Sequence, residues 1–211
     1  MCFAGAKGSR KGEFMIKNII LDMGNVLLDY NPHVILEKVF DNEEERQLIY
    51  QELFLGDEWV QGDLGYITNE QRYEGVRKRV PEYLHDKLKA CVDGWNICMI
   101  PLDGAKEFCE YCKNRGYGIY VLSNASSDFY NYFFKHFEPD FFDGIVISSD
   151  VHIVKPDVAI YQYLLGTYGL LPEECLFIDD RANNVEGALA CGMHAYQFQD
   201  DFEKIKQNYH L

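Results

Sequence analysis

Residues 18–32 read NIILDMGNVLLDYNP, and the way this stretch begins decides how the rest of the chain is parsed. An apolar run without polar alternation, closed by Asp22 and a Met-Gly-Asn turn, describes a strand buried on both faces. Four later runs share that character: GIYVLS at 118–123, GIVIS at 144–148, CLFID at 175–179 and HAYQF at 194–198. With the opening run taken as 16–22, these make about five strands.

Helical patterns separate the strands. In 102–115, Ala105, Phe108, Cys109 and Cys112 fall at i, i+3, i+4 and i+7, and Gly116 follows as a stop. The aromatic-rich 126–137 starts on Ser-Ser-Asp, good capping chemistry. Further helices are expected over 157–168, behind Pro156, and over 182–191, ahead of Gly192. Strands alternating with helices predict an α/β fold, a Rossmann-like parallel sheet covered on both faces.

One interval is too long for a plain crossover. Asp22 and Ser123 lie 123 − 22 = 101 positions apart, whereas a crossover needs a dozen residues or more. Asn31-Pro32 opens a helix. Thr68 and Gln71 form a capping box ahead of Tyr73, Val76 and Val80, and 81–93 reads as a further helix. The spacing therefore predicts a helical cap over 31–97, inserted into a core made of 15–30 and 98–211. Residues 1–14 carry no apolar h-region and are expected to be a loose tail, with Met15 as an alternative start.

Composition narrows the partners. With 20 basic and 34 acidic residues the net charge is −14. Such a surface repels phosphate backbones and anionic membranes, which argues against nucleic-acid and membrane partners. No run reaches the roughly 18 apolar residues of a membrane span. The seven scattered cysteines, Cys2, Cys91, Cys98, Cys109, Cys112, Cys175 and Cys191, read as reduced thiols of a cytoplasmic protein. Cys109-x-x-Cys112 lies on the apolar stripe of its own helix and reads as core. The aromatics at 129–134 and Phe137 read as packing, the acidic run 41–45 as a solvated helix start, and His152 as a solvated loop residue.

Polar residues gather at the strand ends. The first strand ends at Asp22, the second at Ser123-Asn124 and the fourth at Asp179-Asp180, and the loop after the third leads to Lys155-Pro156. In open α/β sheets ligands bind beyond the carboxyl ends of the strands, so these residues converge. Carboxylates without His or Cys suit Mg²⁺. A remaining carboxylate can attack phosphorus and form an acyl-phosphate. The hydroxyl and the lysine can hold the phosphoryl oxygens.

The stretches NIILDMGNVLLDYNP, VLSNAS (121–126), IVKPDVAIY (153–161) and LFIDDRANNVEGALACG (176–192) resemble, in order, the four motifs of the haloacid dehalogenase superfamily. The DxGNV turn is similar to that of its bacterial α-D-glucose-1-phosphate phosphatase branch. The resemblance implies a nucleophile at Asp22 and phosphate contacts from Ser123, Asn124 and Lys155. It implies Mg²⁺ on Asp22, the Gly24 carbonyl and Asp180, with Asp179 and Asn184 acting through ligands or water. The implied activity is hydrolysis of a small phosphorylated metabolite, sugar-phosphate-like, by a monomer or homodimer.

The sequence departs from the superfamily's phosphatases at Gly24, where many carry an acidic residue that moves the leaving-group proton. Glycine cannot do so. A metal-bound water, Asp29 or a cap residue would have to replace it. The departure also keeps two other readings open: a haloacid-dehalogenase-type hydrolase using the same nucleophile, and a low-activity binding or regulatory member. The Asp179-Asp180 pair argues for a metal, which dehalogenation does not need.

Overall fold

The computed structural model describes residues 15–211; the tail expected over 1–14 lies outside the described residues. The centre is a five-stranded parallel sheet. In chain order the strands of the protein are β1 (Asn18–Leu21), β2 (Leu28–Tyr30), β3 (Met99–Pro101), β4 (Gly118–Ser123), β5 (Gly144–Ile147), β6 (Cys175–Asp179) and β7 (His194–Gln197). The sheet runs β5-β4-β1-β6-β7, every pairing parallel. Its two faces are both buried, as the unbroken apolar runs predict. Ile19, Leu21, Ile119, Val121, Leu176 and Ile178 enter one core. The intervening Ile20, Tyr120, Leu122 and Phe177 enter the other. Each strand thus feeds both layers with its period of two.

Between β2 and β3 the chain builds five α-helices: α1 (His33–Val39), α2 (Glu43–Ile49), α3 (Asp57–Asp63), α4 (Asn69–Val76) and α5 (His85–Gly94). A π-helical turn, Tyr50–Phe54, continues α2. This segment leaves and rejoins the core through the antiparallel β2–β3 ribbon, in which Leu28 faces Pro101 and Tyr30 faces Met99. The capping box is present: Thr68 accepts from the Gln71 backbone and the Gln71 side chain reciprocates. Asn31 accepts from the His33 backbone N–H at 3.1 Å, so α1 begins one residue later than the Asn-Pro signal suggests.

The remaining helices are α6 (Ala105–Asn114), α7 (Phe129–Phe133), α8 (Ser148–Val151), α9 (Val158–Tyr168), α10 (Ala182–Ala190) and α11 (Phe202–Tyr209). The stripe Ala105, Phe108, Cys109 and Cys112 is buried as expected. α6 starts later than expected because Gly104 sits at φ 81°. The aromatic segment 126–137 is helical only over α7. The helix expected over 81–93 begins as a 3₁₀ turn, Glu82–Leu84, before α5.

The inserted helices are fastened to the core at the end of α3. The Ser148 hydroxyl donates to the Asp63 carbonyl at 2.5 Å and accepts from the Ala125 backbone N–H at 3.0 Å. His152 is engaged here, its Nδ1 donating to the Leu64 carbonyl at 2.7 Å, with its ring stacked on Tyr66. Gly65 follows at φ 72°, and a Cβ there would run into the Ser149 carbonyl. Gly65→Ala is therefore expected to destabilise the protein by about 2–4 kcal/mol, from left-handed strain plus the displaced backbone. Urea unfolding with an unchanged m-value checks this.

Candidate active site

Parallel strands deliver their carboxyl ends to one edge, and there the expected residues meet. Asp22 directly follows β1, and its backbone N–H donates to the Ile178 carbonyl at 2.9 Å. Its carboxylate accepts from the Met23 N–H at 2.7 Å and is 7% exposed. Asn25, at φ 56°, turns the chain back. Its side chain accepts from the Tyr30 N–H and donates to Asp180 Oδ2, each at 3.0 Å. Asn25 was not among the residues the sequence pointed to, although an Asn after Gly at a strand end signals such a turn.

Lys155 is the cation that meets the carboxylates of Asp22 and Asp179, and its side chain is fully buried. Nζ lies 2.8 Å from Asp22 Oδ1 and 2.7 Å from Asp179 Oδ2, and it donates to the Leu122 carbonyl at 2.8 Å. All three ammonium protons are thereby engaged. Burial lowers the Lys155 pKa, but Asp22 and Asp179 outweigh it and the net shift is upward. Asn124 clamps the Lys155 backbone from both sides, donating to its carbonyl at 2.9 Å and accepting from its N–H at 2.7 Å. The Asn124 side-chain amide thus positions Lys155 instead of reaching outward to a phosphate.

Asp179 is wholly buried. It accepts from Lys155, from the Arg181 N–H at 2.9 Å and from Asn184 Nδ2 at 3.0 Å. Asp180 is half-buried on the Asn25 side. Oxygens of Asp22, Asp179 and Asp180 all lie within 4.8 Å of one another. Burial pushes the Asp22 carboxyl up to about 7; Lys155 opposes this, while Asp179 and Asp180 reinforce it. A buried carboxylate that holds its proton so tightly is short of positive charge. Two buried acceptors beside it, Ser123 Oγ and Asn184 Oδ1, have no hydrogen-bond partner among the described residues. Hard oxygen donors, surplus negative charge and orphaned oxygens together fit a small divalent cation such as Mg²⁺ with its waters. Gly24 lines the same space.

These residues form the floor of a cavity of about 550 Å³ whose roof comes from the inserted helices and the β2–β3 ribbon. The roof is aromatic. Trp59 packs against Phe54 at 5.0 Å, Trp95 at 5.3 Å and Tyr30 at 6.1 Å, and Trp95 meets Tyr132 at 5.1 Å between ring centroids. Leu55 and Val60 reach the mouth and are 58% and 50% exposed. Among the described residues the one roof carboxylate is Asp63. Burial raises its pKa to about 7, against the opposing charges of Arg72 and Arg181. Neither the aromatic roof nor Asp63 was singled out from sequence. Asp29, named there as a proton donor, lines an adjoining hollow with Leu102, Phe198 and Asp200, one that shares Asn25 and Asp180 with the cavity.

The model of the haloacid dehalogenase-like hydrolases matches residues 16–192. Sesquiterpene phosphatase astK of Aspergillus oryzae is 27% identical over 87% of this chain and 90% of its own length. The phosphoglycolate phosphatase of Pasteurella multocida is 24% identical over 64% of this chain and 57% of its own. Among solved structures, the HAD family enzyme BT-2542 of Bacteroides thetaiotaomicron, in complex with magnesium and inorganic phosphate, superposes with a TM-score of 0.72. It is 24% identical, with 90% of this chain and 98% of that one covered. Among the described residues, no helix is long and apolar enough to cross a membrane.

Proposed function

Because the chain belongs to the haloacid dehalogenase-like hydrolase family, we propose that it is a Mg²⁺-dependent phosphatase that attacks phosphate monoesters with Asp22. The observation carrying this reading is the meeting of Asp22 with Lys155 at 2.8 Å, inside a carboxylate triad and beside the unpartnered Ser123 hydroxyl. Asp22, the Gly24 carbonyl and Asp180 would hold the ion, with Asp179 and Asn184 behind them. Bound there, Mg²⁺ supplies charge neutralisation and orientation of the phosphoryl group. The chain's own residues do the rest. Asp22 displaces the alcohol from phosphorus and forms an aspartyl-phosphate. Ser123 donates to a phosphoryl oxygen, and Lys155 balances the charge that develops. Helices α1–α5 act as the cap over 31–97 that excludes water while the aspartyl-phosphate forms.

The substrate class follows from the roof. Phe54, Leu55, Val60, Trp59 and Trp95 offer no hydrogen bonds to a polyol apart from the indole N–H groups, and a sugar pressed against them loses its water. An apolar alcohol gains by the same contact. The lining thus supports a phosphate ester of a hydrophobic alcohol over the sugar phosphate expected from the sequence. The relative named for sesquiterpene phosphates points the same way.

The experiment is phosphate release from n-alkyl phosphates of increasing length, glucose 1-phosphate and p-nitrophenyl phosphate, with Mg²⁺ and with EDTA. Each buried methylene is worth up to about 0.8 kcal/mol, so kcat/KM is expected to climb by up to about fourfold per carbon until the roof is filled. Leu55→Ser and Val60→Ser, at exposed positions, are expected to flatten the climb. A flat series with glucose 1-phosphate preferred would refute the substrate class. Halide release from a 2-haloacid in EDTA would replace the phosphatase reading with the dehalogenase one.

A further inference from the structure

Resting on the phosphatase reading, we propose that Asp63 is the acid and base of the reaction: it protonates the departing alcohol and then deprotonates the water that cleaves the aspartyl-phosphate. The position two residues beyond the nucleophile is Gly24, which carries no proton. The carboxylates lining the cavity are Asp22, Asp180 and Asp63. The first two belong to the carboxylate triad that is placed to hold a divalent ion. Asp63 alone hangs from the roof, on the side from which the alcohol portion must enter and leave. No His or Glu lines the cavity among the described residues, and Asp29 is not in its lining but in that of the adjoining hollow that shares Asn25 and Asp180 with it.

The placement of Asp63 is not left to a loose helix end. Its own carbonyl is held by the Ser148 hydroxyl, which also holds the Ala125 N–H two residues past Ser123. The next carbonyl, of Leu64, is held by His152. Gly65 then lies against the Ser149 backbone. The acid is thereby set from the same short segment that sets the phosphate-binding turn. The charged and titratable groups facing it are Arg72 from α4, Arg181 after β6, Tyr30 from β2 and Tyr132 from α7. Among the described residues it makes no ion pair within 4.0 Å, and its elevated pKa leaves a large protonated fraction near neutral pH.

The steps balance. As the Asp22–phosphorus bond forms and the ester P–O bond breaks, the Asp63 proton passes to the ester oxygen, and a neutral alcohol and an Asp63 carboxylate remain. Water then attacks phosphorus and gives its proton to Asp63, which restores the carboxyl, free Asp22 and phosphate.

The test uses the Mg²⁺-loaded full chain and compares octyl phosphate, whose alkoxide needs a proton to leave, with p-nitrophenyl phosphate, whose phenolate does not. Asp63→Asn is expected to lower kcat/KM, which covers the steps up to departure of the alcohol, by about 10²–10⁴-fold on octyl phosphate and far less on the nitrophenyl ester, while kcat falls on both because they share the aspartyl-phosphate that Asp63 helps water to cleave. It is also expected to erase the alkaline fall of the octyl phosphate profile. Gly24→Asp in the Asp63→Asn background is expected to recover part of the octyl phosphate activity. There is room for it: a Cβ at Gly24 meets nothing nearer than Tyr30 Cβ at 3.8 Å. Equal losses of kcat/KM on both esters, or no loss on octyl phosphate, would overturn the assignment. If the parent released phosphate from neither ester, the phosphatase reading itself would fall and take this assignment with it.

Discussion

Asp22→Asn is expected to lower metal-dependent phosphate release by at least about 10⁴-fold, since the proposed two-step route loses its covalent nucleophile. The substitution is nearly isosteric. The amide oxygen can still accept from the Met23 N–H, as the carboxylate does at 2.7 Å. Folding should therefore survive and activity should not. Stability is even expected to rise slightly at pH 8, where the parent keeps a buried carboxylate ionised against a pKa pushed up to about 7. Trapping the protein with radiolabelled substrate and quenching in acid checks the chemistry directly. The parent is expected to carry acid-stable, hydroxylamine-labile phosphate, and Asp22→Asn none. Turnover in the variant within tenfold of the parent would remove Asp22 from the mechanism.

Lys155→Met has the second large effect, and here the fold suffers as well. The ammonium is the sole cation in contact with Asp22 and Asp179 among the described residues, at 2.8 and 2.7 Å. Its removal leaves two buried carboxylates facing each other, a loss of about 3–5 kcal/mol. For a chain of this size that corresponds to a fall in Tm of roughly 10 °C. The sign of the pH dependence follows. Burial already raises the Asp22 carboxyl and Lys155 opposes that rise, so without Lys155 the folded Asp22 holds a proton that the unfolded chain releases near pH 4, and stability declines as pH rises from there until that carboxyl ionises. The deficit against the parent is therefore expected to be larger at pH 8 than at pH 5. Mg²⁺ is expected to recover more Tm in the variant than in the parent. Scanning calorimetry at the two pH values, with and without the ion, measures all of this.

Much of this was legible in the linear chain, for identifiable reasons. The strands at 118–123 and 175–179 match the structure residue for residue, because a sheet buried on both faces admits only unbroken apolar runs. Asp22, Ser123, Lys155, Asp179 and Asp180 were legible because a parallel sheet delivers all its strand ends to one edge. The ribbon β2–β3 was not, since strands of three residues carry no periodicity. The segment 126–137 was read as a longer helix than it forms. Its rings recur because they stack in the core, Phe129 on Phe133 at 4.5 Å and Phe133 on Phe137 at 4.9 Å, and the backbone beyond α7 closes turns instead, Lys135 onto Tyr132 among them. The absence of an acid at Gly24 was visible in the sequence. Its candidate replacement was not, because Asp63 reaches the cavity only through the way the inserted helices fold back over the sheet.

The hydroxyl of Ser148 grips the backbone just beyond the Ser123 strand end with one lone pair and the roof with its proton. A single oxygen atom therefore sets the register between two parts of the molecule that have separate tasks. Drift in the inserted helices that alters the reach of α3 is transmitted through it to the turn after Ser123. Such substitutions would change turnover without touching substrate, and the tolerance of this enzyme to mutation should be narrower along that seam than anywhere else on its helical half.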